Sequence, residues 1–196
     1  NGKQLDGLAK NKKKQAHLRD VIVLIHFEGH PLSTDEASEE LRWSTLRGLL
    51  FGRHKKFIIL SDHKRESEFK MNELRKQVEA DDFHRWVQID PVRYPTIHSI
   101  ETMLFDKGVI PRRVIFGGTN TKGCVLDQTP YSAIPWAKEG HDVKVYLPMC
   151  IEYQAAGRDQ KERNIVAFAD FWRKSKEAGV VQSIDFIAEL ERMKDS

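Results

Sequence analysis

Short runs of apolar, mostly β-branched residues alternate along this chain with longer stretches in which apolar residues recur every three or four positions. The runs "VIVLIHF" (21–27), "KFIIL" (56–60), "RWVQI" (85–89), "RRVIFGG" (112–118), "DVKVYLP" (142–148) and "VVQSI" (180–184) have strand length. The first two carry no polar alternation, which predicts strands covered on both faces, as at the centre of a parallel sheet. Between the runs, residues 33–54, 66–80, 97–108, 132–141 and 160–179 carry helical spacing, and 185–194 reads as a closing helix. In the first helix Leu41, Leu46, Leu49 and Leu50 share a side, with Ser33 or Thr34 placed to cap the start. Phe69, Leu74 and Val78 mark the inward side of the second. Ile97, Ile100, Met103 and Leu104 do so for the third, which Gly108 stops. Strands and helices alternate without an internal repeat. The pattern predicts an α/β fold: a three-layer α-β-α sandwich around a mainly parallel, Rossmann-like sheet of about six strands, with right-handed crossovers.

Ligands of such sheets bind beyond the carboxyl ends of the strands. The candidates for chemistry are therefore the residues just after each apolar run. They are His26, Phe27, Glu28 and His30; Ser61, Asp62 and His63; Asp90 and Arg93; Thr119 to Cys124; and Met149, Cys150 and Glu152. Within "GGTNTKGCVLD" (117–127), Cys124 closes a glycine-rich turn whose backbone amides can face a ligand. Such amides favour the thiolate, which is the reactive species, and can hold an oxyanion. A free cysteine is otherwise a small buried hydrophobe, and Cys150 reads that way. His26 is placed to take a proton from a thiol, unless its role is a structural hydrogen bond. Asp90 is either the carboxylate that orients the imidazole or a turn residue before Pro91. Arg93 is either a carboxylate binder or a solvated loop arginine.

Composition narrows the class. With 196 residues, 40% hydrophobic and 31% charged, the chain suits one soluble domain. No stretch approaches ~20 apolar residues, the length of a membrane span. Two cysteines cannot build a disulfide framework, so an intracellular, cytoplasmic setting is the default expectation. The net charge of +3 is unevenly spread. Lys3, Lys10, Lys12, Lys13, Lys14 and Arg19 face a single acid, Asp6, in the first nineteen residues. The expected organisation is thus a basic leader or linker over 1–19 and a single domain over 20–196. The leader is the one part suited to nucleic acid or an acidic partner, though it lacks interleaved aromatics for base stacking. The chain starts at Asn1 with neither methionine nor an apolar signal core, as a processed or excised chain would. No GxGxxG, Walker or zinc-ribbon spacing occurs. Asp62, His63, His30 and Glu28 are metal-ligand types without a recognised spacing, so neither metal nor cofactor is expected. A magnesium nuclease would want aspartates at several strand ends, and the first strand ends in His26 instead.

The segments "RRVIFGGTNTKGCVLD", "AKEGHDVKVYLPMC" and "FWRKSKEAGVVQSIDFI" resemble the isochorismatase-like cysteine hydrolases, which include nicotinamidases, N-carbamoylsarcosine amidases and isochorismatases. The signature of that family is an apolar strand, Gly-x-x-Thr-x-x-Cys-Val, a helix ending at Gly, a strand ending near a second Cys and a late Gly-Val strand. Gly118, Thr121, Cys124, Val125, Gly140, Cys150 and Gly179-Val180 fit in order, over about residues 20–190. The resemblance implies Cys124 as nucleophile, an acid at the end of strand one and a lysine after strand three. Here strand one ends in His26, and no lysine lies between Val78 and Lys107. The stretch from Cys124 to Gly140 is also about one helical turn longer than usual, with Pro130 placed to open a helix. The implied function is therefore a non-catalytic (pseudoenzyme) binding or assembly module. The alternative is a hydrolase of amide or other C–N bonds using Cys124, with His26 as base and Asp90 orienting it. Asn120, Thr121, Gly123 and Arg93 would then bind substrate or its oxyanion. The partners implied are a small amide or carboxylate ligand and further copies of the chain or a larger assembly. Trp136, Phe171 and Trp172 are interface residues or core.

Overall fold

In the computed structural model, which describes residues 17–27, 36–51, 57–62, 69–80, 85–127, 129–151, 166, 169, 173 and 184–187, all six apolar runs contribute to one sheet. The strands are β1 (His17–Ile25), β2 (Phe57–Ser61), β3 (Arg85–Gln88), β4 (Val109–Thr119), β5 (Asp142–Ile151) and β6 (Ile184–Ile187). Their order is β3-β2-β1-β4-β5-β6, and every neighbouring pair is parallel. Among the described residues the helices are α1 (Glu36–Phe51), α2 (Phe69–Ala80), α3 (Ile97–Asp106) and α4 (Ala133–Lys138).

Alternate residues of β1 feed two separate cores. Val21, Val23 and Ile25 pack with Ile97, Ile100 and Leu104 of α3 and with Trp136 of α4. Ile22 and Leu24 pack with Trp43, Leu46 and Leu50 of α1 and with Leu74 and Val78 of α2. Helices on both faces complete the expected three-layer sandwich. Each fully buried Val, Leu or Ile stabilises it by about 1.5–3 kcal/mol. α3 starts where a capping box forms, Thr96 and Ser99 each bonding the other's backbone amide. It stops before Gly108, which takes φ 76°.

Two expectations shift, and two open alternatives are decided. β1 begins at His17, so the last three residues of the expected leader, His17 to Arg19, belong to the sheet; residues 1–16 lie outside the described residues. Asp185 to Ile187, read as the start of a closing helix, continue β6, because Asp185, Phe186 and Ile187 pair with Lys144, Val145 and Tyr146. α4 opens at Ala133, not at Pro130. Trp136 is core. Of the helix expected over 160–179 the described residues are Val166, Ala169 and Arg173, all helical and exposed. Phe171, Trp172, Glu28, His30, His63, Ser33 and Thr34 lie outside the described residues. Among the described residues no helix is long and apolar enough to cross a membrane.

Candidate active site

Strand order decides where the crevice opens. The chain runs outward from β1 through β2 to β3, then returns to the other side of β1 as β4. The switch point thus lies between the carboxyl ends of β1 and β4, where such sheets bind ligands. His26 follows β1 and Cys124 follows β4, so the two fall together by topology.

Gly118 allows the close approach. A Cβ on it would meet the Ile25 carbonyl oxygen at 2.0 Å, and one on Gly117 would meet Met149 Cβ at 2.7 Å. Beyond this seam the pairing of β4 with β5 jumps, Phe116 facing Val145 and Gly118 facing Cys150. Irregularities of this kind re-aim the chain next to functional sites. Asn120 then adopts the left-handed conformation (φ 60°, ψ 68°) and leads into one π turn, Thr121–Val125. Its Oδ1 accepts from the Gly123 amide at 3.2 Å, its carbonyl accepts from the Val125 amide, and its Nδ2 lies 3.7 Å from Cys124 Sγ. The thiol is therefore carried by a π turn and is half-buried. The Gly123 amide, expected to be open to an oxyanion, is taken by Asn120. Thr121 shares the turn through its backbone.

His26 is the junction. It is a non-glycine residue at φ 45°, a conformation that costs of order 1 kcal/mol or more and tends to persist where function requires it. Its backbone amide donates to Asp62 Oδ1 at 2.9 Å, and its Nδ1 sits 3.1 Å from Asp62 Oδ2. The ring hydrogen-bonds Cys124, and that bond is the largest cause holding the imidazole above its ordinary pKa of 6.5. Burial opposes the shift, and the charges of Asp62 and Cys124 reinforce it. With Nδ1 on Asp62, Nε2 is the nitrogen left to serve the thiol. Asp62 is itself buried, and Tyr131 donates its hydroxyl to Oδ2 at 3.3 Å.

The chain therefore assembles thiol, imidazole and carboxylate, but the carboxylate differs from the one expected. Asp90, the anticipated orienter, follows β3, which is two strand spacings from β1, about 10 Å. Its Oδ1 accepts from the Val92 amide and its carbonyl from the Tyr94 amide, the turn role also weighed for it. Asp62 follows β2, the direct neighbour of β1, and reaches His26 without a gap. Its position at a strand end was visible in the sequence; the strand order that makes it the partner was not. Tyr131 carried no signal at all. Arg93 is exposed, with its guanidinium over the Tyr94 ring at 5.5 Å. Cys150 is buried core, as its sequence position suggested. On the α1 side of the sheet lies Arg42, wholly buried, with Nη1 3.3 Å from Thr119 Oγ1 and its charged group 4.9 Å from the Phe27 ring centre. Burial pulls its pKa down to about 10. Among the described residues no three His, Cys, Asp or Glu side chains gather as a metal site would need.

No protein-family model matches the sequence, and no curated protein matches it. Solved structures do match in shape. The nicotinamidase SaPncA from Staphylococcus aureus aligns with TM-score 0.55 at 14% identity, over 88% of this chain and 99% of that one. The fold is that of the isochorismatase-like hydrolases. The YcaC gene product of Escherichia coli, an octameric hydrolase of unknown specificity, aligns at TM-score 0.52 and 15% identity, over 86% of this chain and 75% of that one. A ribonuclease from Caenorhabditis elegans aligns at TM-score 0.53 and 11% identity, over 91% and 81%. On this isochorismatase-like frame the present chain carries its own set of polar groups at the β1–β4 crevice.

Proposed function

We propose that the chain is a cysteine hydrolase of small amides or related C–N bonds, in which Cys124 attacks, His26 moves the proton and Asp62 orients His26. The observation that carries this reading is the position of His26, bonded on one side to a buried carboxylate and on the other to the thiol. It supports the hydrolytic alternative over the non-catalytic module, because Asp62, which follows β2, supplies the orienting carboxylate expected of Asp90.

The steps follow from the geometry. His26 Nε2 accepts the Cys124 proton as sulfur bonds to the carbonyl carbon. The oxygen takes up negative charge beside the Asn120 side-chain amide and the start of the π turn; of the expected oxyanion groups Asn120 and Thr121 keep that role, and Gly123 does not. The C–N bond breaks as His26 returns the proton to the departing nitrogen. Water, deprotonated by His26, then attacks the thioester carbon, and sulfur leaves with the proton. Arg93, exposed in the turn after β3, is proposed as the binder for a substrate carboxylate.

The second reading remains a binding or assembly module, favoured by the absence of any lysine over residues 79–106, where the resemblance wants one. Self-assembly fits either reading, as the octameric neighbour illustrates. Contact with nucleic acid is proposed only through the lysines of the leader. The test is release of ammonia or amine from nicotinamide, pyrazinamide and a panel of small amides, with iodoacetamide labelling in parallel. Turnover abolished in Cys124→Ala is the expected result, and turnover retained in that variant overturns the proposal. No turnover by the wild type, together with no labelling of Cys124 at neutral pH, leaves the module.

A further inference from the structure

Asp62 is held by more than His26. Its Oδ2 receives two donors, His26 Nδ1 at 3.1 Å and the Tyr131 hydroxyl at 3.3 Å, while Oδ1 receives the His26 amide. Tyr131 is 3% exposed and sits in a short turn ahead of α4. That turn is closed by Ser132, whose amide and hydroxyl both donate to the Thr129 carbonyl. It is also tied to the nucleophile's own turn, because the Ile134 amide donates to the Leu126 carbonyl at 2.9 Å. The hydroxyl is thus fixed from the same piece of backbone that fixes Cys124. Burial, followed by the charge of Asp62 and the hydrogen bond to it, keeps this phenol protonated far above the usual tyrosine range. The phenol is thus held as the donor to Asp62 Oδ2.

We propose that Tyr131 is a positioning residue of the active site: its hydroxyl locks the Asp62 carboxylate in the rotamer that presents Oδ2 to His26, and so aligns the imidazole with Cys124. A carboxylate held only through His26 can turn about its Cα–Cβ and Cβ–Cγ bonds and take the ring with it. A second donor anchored on the Cys124 side removes that freedom. The residues between Cys124 and α4 then have a purpose, for they supply the anchor. The inference rests on the Cys124–His26–Asp62 reading and adds the residue that ties the third member to the first.

The test is a double-mutant cycle read by the second-order rate of Cys124 alkylation with iodoacetamide at pH 7, which needs no knowledge of the substrate. Tyr131→Phe keeps the ring and removes the one oxygen, and thermal denaturation checks that the fold is intact. Alkylation is expected to slow about tenfold in Tyr131→Phe and at least as much in Asp62→Asn, with the double variant no slower than Asp62→Asn alone. A merely structural tyrosine would give additive losses or none, and either outcome overturns the proposal. A Tyr131→Phe protein too unstable to assay is replaced by Tyr131→His, whose ring nitrogen can donate in place of the hydroxyl; rescue of the rate supports the role, and a rate equal to that of Tyr131→Ala opposes it. Failure of the hydrolase reading looks different: no amide is turned over, yet the coupling between residues 62 and 131 persists.

Discussion

His26 takes a left-handed backbone without being glycine, and its ring bridges a buried acid and a thiol while its side chain stays 56% exposed to solvent. The two facts share a cause, since the Asp62 carboxylate holds both the amide and the ring nitrogen of the same residue. The hydrogen bond with Cys124, then the neighbouring charges, raise the imidazole pKa above 6.5 against the pull of burial. For a base raised on folding, the stabilising contribution is complete below the unfolded value and is lost as pH rises through the folded one. Unfolding free energy is therefore expected to fall with increasing pH just above 6.5, and this slope should vanish in His26→Gln. NMR titration of the ring checks the assignment. Its midpoint should drop in Asp62→Asn and drop further in Cys124→Ala, where the larger cause is removed. A midpoint indifferent to both substitutions would contradict the site as described.

Between elements, the β1–β4 seam controls how near those groups come. At Gly118 a methyl group would sit 2.0 Å from the Ile25 carbonyl oxygen, so either the strands part or the chain kinks. Gly118→Ala is expected to cost about 3 kcal/mol in chemical denaturation, the upper range of overpacking in a well-filled interior. Gly140 supplies the contrast: it has φ 86° but nothing within 4 Å of an added Cβ. Gly140→Ala should cost only about 1 kcal/mol, the backbone penalty alone. Equal losses at the two sites would refute this account of the seam. Much of this level was legible in advance. The runs around Val21–Ile25, Phe57–Leu60 and Val114–Phe116 read as strands because each is buried on both faces, and the helical spacings of α1 to α4 hold over the described residues. What sequence could not supply was adjacency. Periodicity says that Asp62 and Asp90 each follow a strand, but only the order β3-β2-β1 says which of them lies beside His26. Tyr131 was invisible for the same reason, since it reaches Asp62 across 69 residues of chain.

Across the whole molecule, the crevice at the carboxyl end of the sheet has a counterpart at the amino end. Asp20, 4% exposed at the start of the apolar part of β1, takes two hydrogen bonds from Arg112 and two from Arg113, both on β4. The same two strands that carry His26 and lead to Cys124 are thus clamped at their opposite end by charge. Burial alone would raise the Asp20 pKa, but the hydrogen bonds and charges of the two arginines outweigh it and hold the carboxyl below its ordinary 3.8. For an acid depressed on folding, the stabilising contribution is present above the unfolded value and is lost as pH falls through the folded one. Asp20→Asn leaves Arg113 nearly buried without its counter-charge, which for a broken buried pair costs about 3 kcal/mol. The variant should also lose part of the stability decline that the wild type shows below about pH 4. Because the clamp and the crevice share β1 and β4, a loosened clamp tests whether the sheet transmits position along its length. If the strands act as rigid rods, Asp20→Asn lowers the melting temperature and leaves iodoacetamide labelling of Cys124 unchanged at 25 °C. A slowed alkylation at a temperature where the variant is fully folded would instead mean that the register of β1 against β4 is set at the amino end, with the alignment of His26 and Cys124 set along with it.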